Sequence, residues 1–335
     1  MRAHLRTTCV VLVWLAAAAA FAAETVSHLG NTGPAFEKGK TPSSLGWGAD
    51  DQVYPGKFVV NAADGAEMVW VPAGRFIMGS TKEEIEAIWH KNAWDDERLG
   101  NTTDEGPAHE VTLTKGYWLY RHEVTVGQWG QYLKATETDP QEYWDELQSH
   151  PKTPVVFVHW EAVQPYVEWA GGALPTEAQW EWAARGPEHR AFPWGPDWDA
   201  TLCNNAEFWA KASLPTELAH GEWLRSVLGP PGTTFKVSVL AKHLLEVGSF
   251  PQDASWCGAL DLAGSVFEWC SDWYTDGYDT TQSSEDPAGP EYGEQRILRG
   301  GAWDSFAGQC RSAYRYSETP YGESYYTGFR VAIVP

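Results

Sequence analysis

The segment Arg296–Tyr316, RILRGGAWDSFAGQCRSAYRY, gathers the residue types that could do chemistry. It holds a glycine pair, Trp303, a lone thiol at Cys310, and arginines at 311 and 315. Cys310 is either a reactive group or a structural one. The arginines, with Arg330 further on, alternate with apolar residues on strand-like stretches. They read as internal partners of acids such as Glu177, Glu181, Glu268 and Asp272, or else as ligands for an anion. A buried charge without its partner costs several kcal/mol, on the order of 3–5, so pairing is the expected use. His109, His122 and His159 are the histidines that could build a metal triad; the alternative is that each satisfies a local structural bond. The sequence contains no nucleophile elbow, phosphate loop or HExxH.

The elements that must position these groups are partly legible. EMVWVPAGRFIMGS alternates and breaks at Gly79, as a strand pair would, and HEVTLTKGYWLYRHEVT is similar. Val126, Trp129, Tyr132 and Leu133 have helical spacing. A second helix is expected in HWEAVQPYVEWAGG, with Pro165 tolerated in its first turn and Gly171 as the stop. A third is LPTEAQWEWAARG, with Thr176 as N-cap, Gln179 completing a capping box and Gly186 as the stop. Residues 187–258 are dense in Trp, Pro, Gly and Asn and show no sustained period. With 20 Trp and 32 Gly, the chain is expected to bury large aromatics under long loops.

Arg2 and Arg6, the apolar run Val10 to Phe21 and the small residues after it read as a secretory signal peptide over 1–23. That run is too short for a membrane span, so no span is expected after cleavage and the product is secreted or periplasmic. Residues 24–65 read as a leader or linker. With 45 acidic against 24 basic side chains, net charge −21, nucleic acid and anionic lipid are excluded as partners. Four cysteines follow the signal: Cys203, Cys257, Cys270 and Cys310. In an oxidising compartment an even count suggests two disulfides, and four cysteines allow three pairings. No CxxC is present, so structural zinc is not expected.

Several phrases in order carry a resemblance: VWVPAGRFIMGS, EGPAHEVTLTKGYWLYRHEVTVGQW, PVVFVHWEAVQPYVEWAG, LPTEAQWEWAARG, FPWG, DLAGSVFEWCSDWY, LRGGAW, CRSAYR and GFRVA. Together they closely resemble the formylglycine-generating enzyme, or sulfatase-modifying factor, family over residues 66–334. The resemblance implies one α+β domain of the formylglycine-generating variant of the C-type lectin fold, with little regular secondary structure. Catalytic members of that family oxidise a sulfatase cysteine using copper(I) held by two thiolates after the RGG turn. Soft sulfur ligands select copper(I). Here a forward count puts Ser305 and Cys310 at the two positions, and a backward count from GFR moves Cys310 off them. In either register the pair is missing, and copper is not expected.

The resemblance also implies a calcium site at LDLAGSVFEW, with Asp261 and Glu268 as side-chain ligands and Gly264 and Val266 through their carbonyls; hard oxygens on a tight loop suit calcium. A second, weaker calcium site would use Asn205 and Ala206. Motif placement suggests the disulfides Cys270–Cys310 and Cys203–Cys257. Three functions follow. The first is an extracytoplasmic domain without copper chemistry, binding a peptide, glycan or protein in a cleft lined by Phe267, Trp303, Ser305, Phe306 and Cys310. The second is a periplasmic oxidase of another mechanism, like the family's pyoverdine-maturation member. The third is a working formylglycine-generating enzyme in which Cys310 meets another cysteine in space.

Overall fold

The computed structural model describes residues 57–281 and 283–335, together with 35–36, 39–41 and 43–45. The stretch read as a signal peptide and most of the stretch read as a leader lie outside the described residues. The strands are β1 (Val59–Val60), β2 (Glu67–Val71), β3 (Gly74–Met78), β4 (His109–Leu113), β5 (Tyr117–Tyr120), β6 (Phe267–Trp273), β7 (Arg296–Arg299), β8 (Tyr316–Glu318), β9 (Thr327–Gly328) and β10 (Ala332–Ile333). The helices are α1 (Lys82–Lys91), α2 (Val126–Thr136), α3 (Trp144–Leu147), α4 (Trp160–Trp169), α5 (Glu177–Arg185), α6 (Ala206–Ala210), α7 (Glu217–Leu228) and α8 (Leu240–His243). Among the described residues they form sheets of order β1-β2-β5-β10, β3-β4 and β8-β7-β6-β9.

Local chemistry accounts for the expected helices. Thr125 and Gln128 cap α2 reciprocally, and Thr176 and Gln179 do the same for α5, which Gly186 ends. At each of these helices the N3 N–H and the N-cap N–H, which lack an intrahelical partner, are thereby satisfied. Pro165 sits inside α4, beyond its first turn, which corrects its expected place. Five helices were not expected, the two longest of them α1 and α7. Thr81 and Glu84 form a capping box on α1, and α7 lies in the stretch read as aperiodic. β1 lies in the stretch read as leader and pairs with β2, and Phe36 packs edge-on against Trp118. The domain therefore begins before Ala66.

The largest apolar cluster gathers Trp118, Trp129, Tyr166, Phe267, Trp269, Trp303 and Phe329. A second one, around Trp180 and Trp182, holds Cys257 and Cys270. β6 runs between β7 and β9, so its residues pack on both faces. This fixes Glu268 and Cys270 in the interior.

Candidate functional site

The RGG turn is built by Arg299, Gly300 and Gly301 at the end of β7. Both glycines have positive φ, +96° and +79°. A Cβ on Gly301 would stand 3.1 Å from the Cys310 Sγ, so the backbone passes tightly beside the thiol. Beyond the turn, the Ser305 hydroxyl accepts from the Ala302 N–H at 2.9 Å. Ser305, Trp303 and Cys310 are all buried, Trp303 and Cys310 completely.

The segment 203–245 roofs this turn. Asn204 pairs with Gly264, and its side-chain amide donates to the His243 carbonyl at 2.9 Å. The His220 Nε2–H donates to the Asp304 carbonyl at 2.7 Å, and its Nδ1 accepts from Arg98 at 3.0 Å. Trp223, His243 and Tyr325 ring Trp303 with centroids 6.5, 5.0 and 5.9 Å away. The Trp303 indole N–H, buried among them, has no hydrogen-bond partner. Burial pushes the Asp304 carboxyl up to about 6, opposed by the Tyr325 hydroxyl that donates to it. Burial lowers His220.

Two expectations are corrected here. Phe267, Trp303, Ser305, Phe306 and Cys310 line no open cleft; all are buried, Trp303 under Trp223 and His243 of the segment 203–245, Phe306 against Trp89, Trp94 and His220, and Phe267 against Tyr316 and Tyr326. The expected pairings, Cys270–Cys310 and Cys203–Cys257, are not the ones brought together either; each of the four cysteines is a thiol in this structure. Cys203 and Cys310 share one apolar pocket with Ala263, while Cys257 and Cys270 lie in the Trp180 cluster. Burial, and next the Cys310 thiol beside it, push the Cys203 thiol well above its ordinary range. Nothing in the sequence links these two cysteines, because the approach is made by Asn204 and Ser305 backbone contacts: Ser265 N–H to Asn204 O and Ala206 N–H to Ser305 O.

The calcium loop is tightly folded but differently committed. Gly264 has φ +73°, and a Cβ there would lie 2.1 Å from the Asn204 carbonyl. Glu268 places both carboxylate oxygens on the Arg330 guanidinium at 2.6 Å, and one also accepts from the Trp180 indole at 2.8 Å. The Asp261 Oδ2 accepts from the Gly248 N–H at 2.7 Å and lies 2.8 Å from the His122 Nδ1. Calcium needs six or more oxygens free to converge. A cage led by Glu268 does not fit this arrangement unless Arg330 is displaced. Asn205 is likewise in use: its Oδ1 caps Phe208 at 3.1 Å and its amide donates to Ala200 and Cys203. Ala206 opens the helix that Asn205 caps.

The arginines are paired inside the protein. Arg315 holds Glu177 at 2.7 Å, Arg299 holds Glu181 at 2.5 Å, and Arg330 holds Glu268. Arg311 grips Glu105 rather than one of the motif acids expected for it. Arg299 and Glu105 were not singled out in the sequence, although RGG contains the first. The histidines stand apart: His109 bonds the Pro107 carbonyl, His122 faces Asp261, and His159 caps α4. Among the described residues no three His, Cys, Asp or Glu side chains converge on a metal position. Glu123, next to His122 in RHEVT, has both carboxylate oxygens buried without a hydrogen bond.

Open space lies elsewhere. A cavity of about 200 Å³ is lined by His122, Glu123, Gln128, Lys152 and Glu246. A groove of about 1010 Å³ runs between α1 and Tyr278, past Glu86, Asp96, Leu99 and Asp276. No helix among the described residues is long and apolar enough to cross a membrane.

A profile of the sulfatase-modifying factor enzyme 1-like domain matches residues 56–334. The chain is 30% identical over 289 residues to the serine/threonine-protein kinase pkn1 of Chlamydia caviae, covering 79% of this chain and 38% of that protein. It is 32% identical over 216 residues to a formylglycine-generating enzyme of Thermomonospora curvata, covering 62% of each. It thus spans less than two thirds of these curated relatives. The solved structure of PvdO from Pseudomonas aeruginosa superposes with a TM-score of 0.59 at 27% identity, over 84% of this chain and 99% of that one. With three small sheets and eight helices among the described residues, the fold is the α+β, C-type-lectin-like one that the motifs implied, and the chain belongs to the sulfatase-modifying factor enzyme 1-like domain family.

Proposed function

We propose that this chain is an extracytoplasmic member of the family that works by binding a partner, without copper-dependent oxidation of a cysteine. One observation carries the reading. The turn where copper enzymes of the family hold their metal is roofed by residues 203–245, and the thiol beside it is completely buried. A substrate thiol has no path to Cys310. The binding surface is then the open groove beside α1; Lys82 on its rim is paired with Glu86 at 3.5 Å, which leaves Asp96 and Asp276 to favour a peptide or protein segment carrying basic side chains. A neutral glycan is the alternative occupant.

A second reading, a periplasmic oxidase of the family, is favoured by the meeting of Cys203 and Cys310 in space. Copper(I) titration of the reduced protein against a competing chelator separates the two. The binding reading expects no copper retained and no aldehyde product when a sulfatase-motif peptide is incubated and weighed by mass spectrometry. Stoichiometric copper that disappears in Cys203→Ala, or any aldehyde formed, establishes the oxidase. The groove is tested with a lysine-rich peptide: Asp96→Lys should weaken its binding about tenfold, and unchanged affinity removes the groove from the proposal.

A further inference from the structure

The structure assigns a covalent cross-link site: we propose that Cys203 and Cys310 form a disulfide, and that Cys257 and Cys270 stay thiols. This goes beyond the binding reading and stands whether or not the groove holds a partner.

The argument is geometric. Cys203 and Cys310 are both fully buried and occupy one small pocket whose remaining buried member is Ala263. Each sulfur is held in place. The Asn205 amide donates to the Cys203 Sγ at 3.3 Å, and Gly301 leaves only the space that the Cys310 Sγ fills. Cys257 is engaged otherwise, with its thiol 3.3 Å from the Ser255 hydroxyl and donating to the Ala183 carbonyl at 3.5 Å. Cys270 lies mid-strand in β6.

The chemistry sets the timing. Two thiols give up two protons and two electrons as the Sγ–Sγ bond forms. The electrons pass to the disulfide of a thiol–disulfide carrier, which leaves as its dithiol. Exchange proceeds through a thiolate, and burial makes the Cys203 thiolate scarce in the finished fold. Oxidation therefore occurs while the pocket is still open, during folding in an oxidising compartment. Afterwards the bond is shielded from reductants. It fastens the root of the segment 203–245 to the end of the RGG turn, closing a loop on the order of a hundred residues, and a longer closed loop restricts the unfolded chain more than a short one.

The test uses the full chain exported to a bacterial periplasm. The protein is denatured in alkylating agent without reductant, digested and mapped by mass spectrometry. The expected result is a Cys203 peptide joined to a Cys310 peptide, with Cys257 and Cys270 alkylated. Alkylated Cys203 and Cys310, or Cys310 joined to Cys257 or Cys270, overturns the proposal. Protein reduced in denaturant and refolded with reductant present should melt about 5–10 °C lower than the oxidised protein, and this difference should vanish in Cys203→Ala. An unchanged melting temperature contradicts a clamp. Should that variant fail to fold, the wild-type map decides alone.

Discussion

Two buried polar clusters flank β6, and they are built on opposite terms. Around Arg299, acids and guanidiniums are matched: Glu181 bonds Arg299 and Arg185, and Glu177 bonds Arg315. Burial would raise the Glu181 carboxyl, but Arg299 and Arg185 hold it below its ordinary value. Around Arg330, acids outnumber their partners. Glu268 takes the guanidinium, Asp261 faces His122, and Glu123 and Asp253 are left with unbonded carboxylate oxygens. Burial, and next Asp261, push both of these carboxyls well above the usual range. One cluster is thus neutralised by arginine, while in the other burial and the neighbouring acid favour the protonated carboxyl. An ion pair makes a rigid scaffold that fails when one partner is removed, while a protonated acid is replaceable by a neutral isostere.

The largest effect should come from breaking the matched cluster. Arg299→Met keeps the volume but leaves Glu181 buried without its main partner. A loss of about 3–5 kcal/mol in urea unfolding is expected. A loss below about 1 kcal/mol would erase the distinction between the clusters.

The matched cluster has one exception, and pH exposes it. Burial, and next the Glu177 charge, push Asp272 up to about 7, although the Glu177 N–H and the Ser271 hydroxyl donate to it. A carboxyl whose folded pKa is raised contributes stability that is full below the unfolded value and is lost as pH rises through the folded one. Wild-type stability should therefore fall by about 2–4 kcal/mol between pH 4 and 7 from this group. Asp272→Asn should flatten that slope. A slope unchanged in the variant means that the proton resides elsewhere.

Glu123, an acid of the unmatched cluster with no bonded partner, should tolerate what Arg299 does not. Glu123→Gln puts a neutral amide of the same shape where burial and the Asp261 charge raise the carboxyl and no hydrogen bond is lost, so unfolding near neutral pH should change by about 1 kcal/mol or less. A loss as large as that of Arg299→Met would mean that Glu123 is ionised and held by a partner, and the contrast would be gone.

These clusters also show where sequence reasoning reached its limit. Caps are local, so Thr176, Gln179 and Gly186 announced α5 without help from the rest of the chain. Pairing of arginine with motif acids was foreseeable because a buried charge needs a partner, but Arg311 chose Glu105, which stands far back in the chain. The fold itself was legible from ordered motifs, most of which are core aromatics and turn glycines. The site was not. Cys203 meets Cys310 only because the Asn204 backbone docks on Gly264 and Ser265, and a long-range contact of that kind leaves no periodicity to read. The roof escaped for a related reason. α7 is amphipathic only weakly and none of its residues is fully buried, so its apolar side chains looked like scattered loop aromatics.

The smallest expected effect concerns calcium. The resemblance places Asp261 and Glu268 around a calcium ion, yet Glu268 spends both oxygens on Arg330 and one also on Trp180. An ion that stabilises the fold must bind the native state, and its removal lowers the melting temperature by mass action. If Arg330 already supplies the positive charge at Glu268, dialysis against a chelator should shift the melting temperature by less than about 1 °C, and added millimolar calcium should do no more. Glu268→Gln should nonetheless destabilise strongly, by about 3–5 kcal/mol, because it strands Arg330. A chelator shift of several degrees that Glu268→Gln abolishes would instead place a cation at this loop, make the acid excess around Arg330 a binding site rather than a store of protons, and reverse the contrast between the two clusters.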